Sequence, residues 1–270
     1  IDFAKTSQLV NFLIKNGSDS LVVAGTTGES PTLTSEEKIA LFKHVVSEVN
    51  GRVPVIAGTG SNNTKASINL TKKAEAAGVD AVMLVAPYYN KPNQEGLYQH
   101  FKTIAEATEL PVMIYNVPGR TAVSISPDTI VRLAELPNVV AVKEASGDLD
   151  AMSEIISKTP EDFALYSGDD GLTLPVLSIG GAGIVSVAPH IIGNEMQEMI
   201  TAFNAGENVR AGAIHRQLLP IMKQLFKAPN PVPVKTALQL KGLDVGPVRL
   251  PLISLTETER NELTNVITSI

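Results

Sequence analysis

The 270 residues are 44% hydrophobic and 19% charged, so the chain can bury a large core and is not of the disordered type. A formal net charge of −6 argues against a nucleic-acid binder, which normally presents a basic face. The chain has no cysteine, which excludes disulfides, thiolate catalysis and cysteine-ligated zinc. Because we also see no signal-peptide pattern, we expect a cytoplasmic protein.

Seven short apolar runs follow one another along the chain, and amphipathic helical patterns separate them. Val, Ile, Leu and Met dominate the runs, as is typical of strands covered on both faces in a parallel sheet. Successive runs lie roughly 20 to 35 residues apart, the spacing of β–α–β units. The predicted strands are Ser20–Ala24, Val53–Ala57, Val79–Ala86, Val112–Tyr115, Val139–Lys143, Ala164–Ser167 and Gly183–Val187.

Two of the helices carry clear start signals. Thr34 and Glu37 form a capping-box pattern, and Ser126-Pro127 puts proline at the first position of a later helix. The alternation of strand and helix predicts the α/β class, and a (β/α)8 TIM barrel fits better than an open sheet. We assign residues 1–205 to the barrel and residues 206–270 to a C-terminal helical extension packed on it.

Only seven strands can be counted, and a helix at Phe3–Asn16 precedes the first of them. An eighth strand would belong before Ile1, so we expect that the first barrel strand is missing from this sequence. Without it, two strands would be exposed edges, which natural folds avoid.

One uncharged stretch, Leu172 to Asn194, has the length of a membrane span. The stretch is broken by Pro and Gly, so we predict a helix, a loop and a strand in a globular core and no membrane contact. The breaks are Pro175, Gly180, Gly181, Gly183 and Pro189.

Lys143 is unusual because it ends an apolar strand, and the active sites of β/α barrels gather at the carboxyl ends of strands. Desolvation lowers the pKa of a lysine below its usual value of about 10.4, which frees the neutral amine to attack a carbonyl. The alternative is a lysine that extends its amine into solvent. Position alone leaves both interpretations open.

Other candidate residues at the strand ends are ambiguous when taken singly. Tyr115 can relay protons to an imine, but a tyrosine there is more often a packed core residue. The loop pair Tyr88 and Tyr89 indicates an interface as readily as catalysis. The loop Gly25–Ser30 either binds a small carboxylate through its N–H groups or is only a tight turn. Arg120 either clamps a carboxylate or is solvated at the surface.

We expect no metal. The four histidines lie in or beside predicted helices without ligand spacing, and Asp169-Asp170 fits better as an acidic pair at a helix N-terminus.

Three segments occur in the order found in a known family: Gly-Thr-Thr-Gly-Glu-Ser at Gly25–Ser30, Tyr-Asn-Val-Pro-Gly-Arg at Tyr115–Arg120, and Val-Ala-Val-Lys-Glu-Ala-Ser-Gly-Asp around Lys143. Over essentially its whole length, the chain resembles the dihydrodipicolinate synthase family of the N-acetylneuraminate lyase superfamily. The first and third segments are typical of the superfamily, whereas Arg120 points to the synthase.

The resemblance implies a class I aldolase-type lyase that condenses pyruvate with aspartate semialdehyde, the first committed step of diaminopimelate and lysine biosynthesis. It implies no metal and no organic cofactor. Lys143 matches the family's covalent nucleophile. The proton relay is matched by Thr26, Tyr89 and Tyr115, and the substrate-binding positions by Thr27, Arg120, Gly168 and Val185.

The resemblance further implies a homo-oligomer, a tight dimer or a homotetramer built as a dimer of dimers, in which Tyr89 enters the partner's relay. It also implies weak or absent inhibition by lysine. The family's lysine pocket is matched by Ser30, Asn62 and Tyr88, but its two His and one Glu are replaced by Ser35, Lys38 and Ala66.

Two other functions stay open. The first is a sister pyruvate-dependent aldolase that cleaves a sialic or sugar acid, against which Arg120 argues. The second is a non-catalytic ligand-binding barrel, which the presence of Lys143, Tyr115 and Thr26 makes a poor fit.

Overall fold

The structure is a computed structural model that describes residues 1–268, so the last two residues of the predicted extension, 269 and 270, lie outside the described residues. In chain order the elements are α1 (Phe3–Lys15), β1 (Leu21–Val23), α2 (Ser35–Val49), β2 (Val55–Gly58), α3 (Thr64–Ala76), β3 (Ala81–Val85), α4 (Gln94–Ala105), β4 (Val112–Asn116), α5 (Pro118–Thr121), α6 (Pro127–Ala134), β5 (Val139–Glu144), α7 (Leu149–Lys158), β6 (Ala164–Ser167), α8 (Thr173–Ser178), β7 (Gly183–Ile184), α9 (Pro189–Asn204), α10 (Asn208–Gln224), α11 (Val232–Leu240) and α12 (Glu257–Ile267).

The chain forms two compact units. The central unit is Pro54–Val185, and the terminal unit combines Ile1–Val53 with the chain from Ser186 onward. The predicted division at residue 205 falls between α9 and α10 and stays a prediction. No helix within residues 1–268 is both long enough and apolar enough to cross a membrane.

The central unit contains a parallel sheet in which β2 to β7 pair in chain order. The predicted α/β class with a parallel sheet is therefore confirmed, and each of the seven predicted strands is present. β7 ends at Ile184, three residues earlier than predicted, since the chain turns at Val187 before Pro189 begins α9. Residues 1–268 hold seven strands and not eight, so the closed eight-stranded barrel stays a prediction.

The two faces of this sheet differ in composition because side chains alternate along each strand. One face packs against the helices of the central unit and is mostly apolar, with Val82, Leu84, Ile114 and Val142 completely buried. The opposite face carries Met83, Met113, Tyr115 and Lys143. Lys143 therefore points away from the helix-covered core.

A β-bulge in β5 sets the register of the site. Val112 pairs with Val139 but Met113 pairs with Ala141, so Val140 is an additional residue and is 39% exposed. One extra residue shifts the alternation of side chains by one step. As a result, Tyr115 lies opposite Lys143 and Asn116 lies opposite Glu144.

The helix start signals predicted from the sequence are confirmed. Thr34 and Glu37 form a complete capping box at the start of α2. Ser126 caps α6 by accepting from the N–H of Thr129, with Pro127 at the first helical position. In the terminal unit α1 packs on α2, α9 packs on α10, and α11 packs on α12.

Candidate active site

Lys143 lies on β5 with its side chain half-buried. Burial lowers the pKa of Lys143 to about 8, because a charged amine loses hydration there. The positive charge of Arg120 lowers the pKa further, while the negative charge of Asp170 acts in the opposite direction. A substantial fraction of Lys143 is therefore a neutral, nucleophilic amine at pH values near 8.

Tyr115 lies beside this amine. Its side chain is 5% exposed, and Lys143 Nζ is 4.2 Å from the centroid of its ring. The two residues are register partners on β4 and β5, so backbone hydrogen bonding holds them side by side. Tyr115 is thus a packed residue, and it is also the aromatic neighbour of the lysine. Packing in the core and a role beside Lys143 are therefore compatible.

Gly168 leaves room for the lysine side chain. It follows β6, and its N–H donates to the carbonyl of Glu144 at 2.7 Å. A Cβ atom at this position would lie 3.0 Å from Lys143 Cε and 2.7 Å from Ala145 Cβ. Real Cβ atoms essentially never come within 2.7 Å of a neighbouring carbon, and 3.0 Å is tighter than most contacts, so a side chain here would force Ala145 and Lys143 to shift.

Arg120 and Val185 lie after two further strands of the same sheet. Arg120 is in the short helix α5, directly after β4, and is exposed. Val185 follows β7, and its N–H donates to the carbonyl of Ser167 at 2.9 Å. Five of the predicted site residues therefore lie at or after the carboxyl ends of β4 to β7: Tyr115, Arg120, Lys143, Gly168 and Val185. Their roles stay a prediction.

Tyr89 is not brought into this group within the chain, because its side chain is 89% exposed. Its backbone has a φ of 74°, an unfavourable conformation for a residue with a Cβ. The loop is held by Asn62, whose amide donates to the carbonyl of Tyr88 at 3.1 Å, and by Asn90, whose amide donates back to the carbonyl of Asn62 at 3.0 Å. A tethered loop that presents an exposed tyrosine is typical of an interface.

The loop with Thr26 and Thr27 belongs to the terminal unit. Its own carbonyls accept two of its N–H groups, those of Glu29 and Ser30, which reduces the number free for a ligand. Thr27 Oγ1 accepts a hydrogen bond of 3.0 Å from the side chain of Asn230. No sequence pattern points to Asn230, because it lies 203 positions further along the chain.

Two cations of the C-terminal segment, Lys235 and Arg249, bind the same loop. Lys235 Nζ donates to Glu29 Oε2 at 2.9 Å, and the N–H of Arg249 donates to Glu29 Oε1 at 2.8 Å. The Arg249 guanidinium also donates two hydrogen bonds, of 2.6 and 2.8 Å, to the Glu37 carboxylate. These bonds are the main reason that the pKa of the Glu37 carboxyl is lowered to about 2. Neither cation stands out in the sequence, because Glu29 lies 206 positions from Lys235 and 220 positions from Arg249.

The histidines lie in helices, as predicted, at His44, His100, His190 and His215. His100 is buried, and its Nδ1 is 2.9 Å from Thr64 Oγ1, so it fits a structural role. Among residues 1–268, no three His, Asp or Glu side chains are arranged to hold a metal ion.

Comparisons with known proteins agree with this site. The model of the dihydrodipicolinate synthetase family matches residues 1–270. The chain is 70% identical to the 4-hydroxy-tetrahydrodipicolinate synthase of Bacillus velezensis, over 100% of this chain and 93% of that protein. The crystal structure of a dihydrodipicolinate synthase from Bacillus anthracis has a TM-score of 0.99 and 68% identity, over 100% of this chain and 92% of the other.

A second solved structure, from Cyanidioschyzon merolae and described with lysine bound, has a TM-score of 0.98 and 48% identity, over 99% of this chain and 91% of the other. The names of these relatives confirm the prediction of a lyase-type enzyme of this class. By the extent of the family match and by these identities, the chain belongs to the dihydrodipicolinate synthetase family.

Proposed function

We propose that the chain condenses pyruvate with aspartate semialdehyde to 4-hydroxy-tetrahydrodipicolinate, the first committed step of diaminopimelate and lysine biosynthesis. The observation that carries the proposal is Lys143, a half-buried amine with a pKa lowered to about 8 at the end of β5. The names of the family's relatives supply the substrates. As in the family, neither a metal nor an organic cofactor takes part in the chemistry.

The first half of the reaction is formation of an imine. The neutral Nζ of Lys143 adds to the ketone carbon of pyruvate, and loss of one water gives a protonated imine. Removal of a proton from the former methyl group then gives an enamine, whose terminal carbon is the nucleophile for the next step. We assign the donation and acceptance of these protons to the hydroxyl of Tyr115, whose ring centroid lies 4.2 Å from Lys143 Nζ.

The second half joins the two substrates. The enamine carbon adds to the aldehyde carbon of aspartate semialdehyde, which forms the new carbon–carbon bond and leaves a hydroxyl group. The amine of that substrate then attacks the imine carbon, closes the ring and releases the Lys143 amine. Overall, two substrates give one cyclic product and one water.

The remaining roles follow the family. Thr26 and Tyr89 complete the proton relay with Tyr115, and Thr27 binds the carboxylate of pyruvate. Gly168 and Val185 line the region of the imine, which fits the tight approach of Lys143 to Gly168. Arg120, an exposed cation after β4, binds the carboxylate of the aldehyde substrate through a two-pronged hydrogen bond.

The proposal includes an assembly and a location. We infer a homo-oligomer built on a tight dimer, which fits the exposed and tethered Tyr88-Tyr89 loop. We also infer that the enzyme works in the cytoplasm, because a chain without cysteine needs no oxidising compartment to form disulfides.

Borohydride trapping tests the nucleophile. With pyruvate and sodium borohydride, we expect one stable adduct on the intact chain and its location at Lys143 by peptide mass spectrometry. Lys143→Ala should abolish the adduct, whereas Lys102→Ala, which removes a surface lysine of α4, should leave it unchanged. An adduct that persists in Lys143→Ala would remove the basis of the proposal.

A turnover assay tests the second substrate. Pyruvate with aspartate semialdehyde should give the cyclic product, while cleavage of sialic or sugar acids should be slow or undetectable. Preferred cleavage of a sugar acid would favour the sister aldolase, and ligand binding without any trapping would favour a non-catalytic barrel.

A further inference from the structure

Two buried polar residues lie directly behind the reactive pair, and the proposed mechanism uses neither of them. Asn116 and Glu144 follow Tyr115 and Lys143 on β4 and β5, and each is only 1% exposed. Because side chains alternate along a strand, they point to the helix-covered side of the sheet. They are therefore separated from the substrates by the backbone that carries the catalytic groups.

Their side chains form a continuous set of hydrogen bonds. Glu144 Oε2 accepts from Asn116 Nδ2 at 2.8 Å, and Glu144 Oε1 accepts from the N–H of Ser146 at 2.7 Å. Asn116 Oδ1 accepts from the N–H of Ile125 at 3.0 Å. Every one of these bonds has a fixed direction, since a carboxylate only accepts and the amide orientation is set by Ile125.

This set connects three parts of the site. It joins the end of β4 to the end of β5 through Asn116 and Glu144. It joins both to the loop after α5, the short helix that contains Arg120, through the N–H of Ile125. The carbonyl of Glu144 also accepts from the N–H of Gly168, which ties in the end of β6. Two side chains thus connect the strand ends that carry Tyr115 and Lys143 and the segment after Arg120, in addition to the backbone hydrogen bonds of the sheet.

A buried carboxylate is costly when only neutral groups bind it, and apolar side chains usually stabilise such a position as well or better. Burial does raise the pKa of the Glu144 carboxyl, with the nearby charge of Asp148 adding to the effect and the bonds from Asn116 and Ser146 opposing it. The carboxylate instead fixes geometry. Reacting groups need to be held within about 0.5 Å of their working positions, and hydrogen bonds from the residues behind them can do this.

We propose that Glu144, through Asn116, is a positioning residue for Lys143 in the proposed reaction, holding the lysine in register with Tyr115 from the far side of the sheet. This inference rests on the proposed function, since it needs the imine on Lys143. Glu144 itself touches neither the substrates nor the lysine amine.

The test uses a swap of donors and acceptors. In Glu144→Gln, either orientation of the new amide leaves an N–H group facing Asn116 Nδ2 or the N–H of Ser146. In the double variant Glu144→Gln with Asn116→Asp, the glutamine donates to the new aspartate and accepts from Ser146, while the aspartate still accepts from Ile125. The double variant therefore restores the three bonds of 2.7 to 3.0 Å, with the charge moved across the pair. It loses the long contact of 3.5 Å from Asn116 Nδ2 to the carbonyl of Ile125.

Two quantities are measured at saturating pyruvate: the rate of borohydride trapping and the pH at which that rate is half-maximal. A small displacement of a reacting group costs on the order of tenfold to a hundredfold in rate, so we expect a loss of that size in Glu144→Gln and recovery in the double variant. A lysine displaced from its packed position would be more hydrated, so in the single variant the midpoint should move up from about 8.

The direction of the midpoint separates positioning from a simple charge effect. The charged or titratable groups around Lys143 are Arg120, Asp170, Tyr115 and its β6 register partner Tyr166, and none of them is altered. If Glu144 acted only as a negative charge, its loss would lower the pKa of Lys143 and move the midpoint down. Asp148→Asn is the matched control: it removes a carboxylate beside Glu144 and keeps the cap on α7, so neither quantity should change.

The outcomes are distinct. If the unaltered chain is not trapped by pyruvate, the proposed function and this inference both fall. If it is trapped and Glu144→Gln matches it in rate and midpoint, the inference alone is overturned. If Glu144→Gln and the double variant both fail to fold, the pair serves only stability and the inference is also overturned. Recovery in the double variant supports it.

Discussion

Lys143 Nζ lies 4.2 Å from the centroid of the Tyr115 ring, and the two residues are register partners on adjacent strands. The ring excludes water from one side of the amine, while Arg120 adds positive charge in the neighbourhood. Both effects favour the neutral form of the amine, and the negative charge of Asp170 partly offsets them. The nucleophile is therefore prepared by its surroundings before pyruvate arrives.

The first prediction is the pH dependence of imine formation. Only the neutral amine attacks, and it becomes populated as the pH rises through the pKa of Lys143. The trapping rate should therefore rise through about pH 8, well below the ordinary lysine value of 10.5. Asp170→Asn removes a charge that raises this pKa, so its midpoint should move lower. A rate that still climbs through pH 10 in the unaltered chain would contradict this account of Lys143.

The second prediction concerns Gly168→Ala. The new methyl group would lie 3.0 Å from Lys143 Cε and 2.7 Å from Ala145 Cβ, so the lysine side chain must move. We expect trapping to slow by about tenfold to a hundredfold, since displacement of a reacting group is costly. Gly212→Ala is the control, because it adds a methyl group in helix α10, with 3.4 Å to the nearest atom. Equal trapping rates in both variants would show that the space beside Lys143 is not needed.

The third prediction separates the two substrates. Arg120→Ala should raise the KM for aspartate semialdehyde and reduce kcat/KM by about tenfold or more, as expected for a lost charged hydrogen bond. Trapping by pyruvate should survive, with its midpoint moved slightly up because a charge that lowers the pKa of Lys143 is gone. Arg120→Lys keeps that charge and should keep the midpoint. If Arg120→Ala impairs trapping and turnover equally, the arginine does not act on the aldehyde alone.

The fourth prediction is that Tyr89 acts in the partner subunit. Lys143→Ala and Tyr89→Phe should each be nearly inactive alone. When the two chains are mixed and exchange subunits, a mixed dimer contains one site with both residues intact, so roughly a quarter of the activity should return. Tyr98→Phe, mixed with Lys143→Ala in the same way, controls for dilution. If mixing restores nothing although mixed dimers form, Tyr89 acts within its own chain.

The fifth prediction is weak or absent inhibition by lysine. The relative from Cyanidioschyzon merolae is described with lysine bound. By the resemblance to the family, Ala66 of this chain stands at the position of a glutamate that would bind the ligand's ammonium group, and alanine cannot do so. Loss of such a charged partner costs roughly 1.5–3 kcal/mol, at least a tenfold loss of affinity. Lys38 adds a like charge. Inhibition by submillimolar lysine in a steady-state assay would show this prediction to be wrong.

The strands and the position of Lys143 could be predicted from the sequence because both depend on local patterns. Apolar runs at regular spacing define β–α–β units, and a lysine that ends such a run stands out. Cap residues such as Thr34 and Ser126 also act on neighbours within a few positions, so their patterns were sufficient.

Other parts of the site depend on partners that the sequence does not identify. Asn116 and Glu144 are 28 positions apart, and Thr27 and Asn230 are 203 apart, so only the folded chain shows that they bind each other. The lysine and arginine that hold Glu29 were missed for the same reason. Polar residues beside a reactive pair were visible in the sequence, but the pattern did not show that they were buried.

The bulge at Val140 makes the chemistry depend on the number of residues in a strand. An unbroken ladder from the Val112–Val139 pair would set Tyr115 opposite Val142, and Lys143 would face the helices. Substitutions at the partly exposed Val140 are therefore compatible with function, whereas inserting or deleting one residue between Ala141 and Lys143 would turn the amine to the wrong side of the sheet. The number of residues between the bulge and Lys143, more than their side chains, therefore decides whether the amine reaches the reactive face of the sheet.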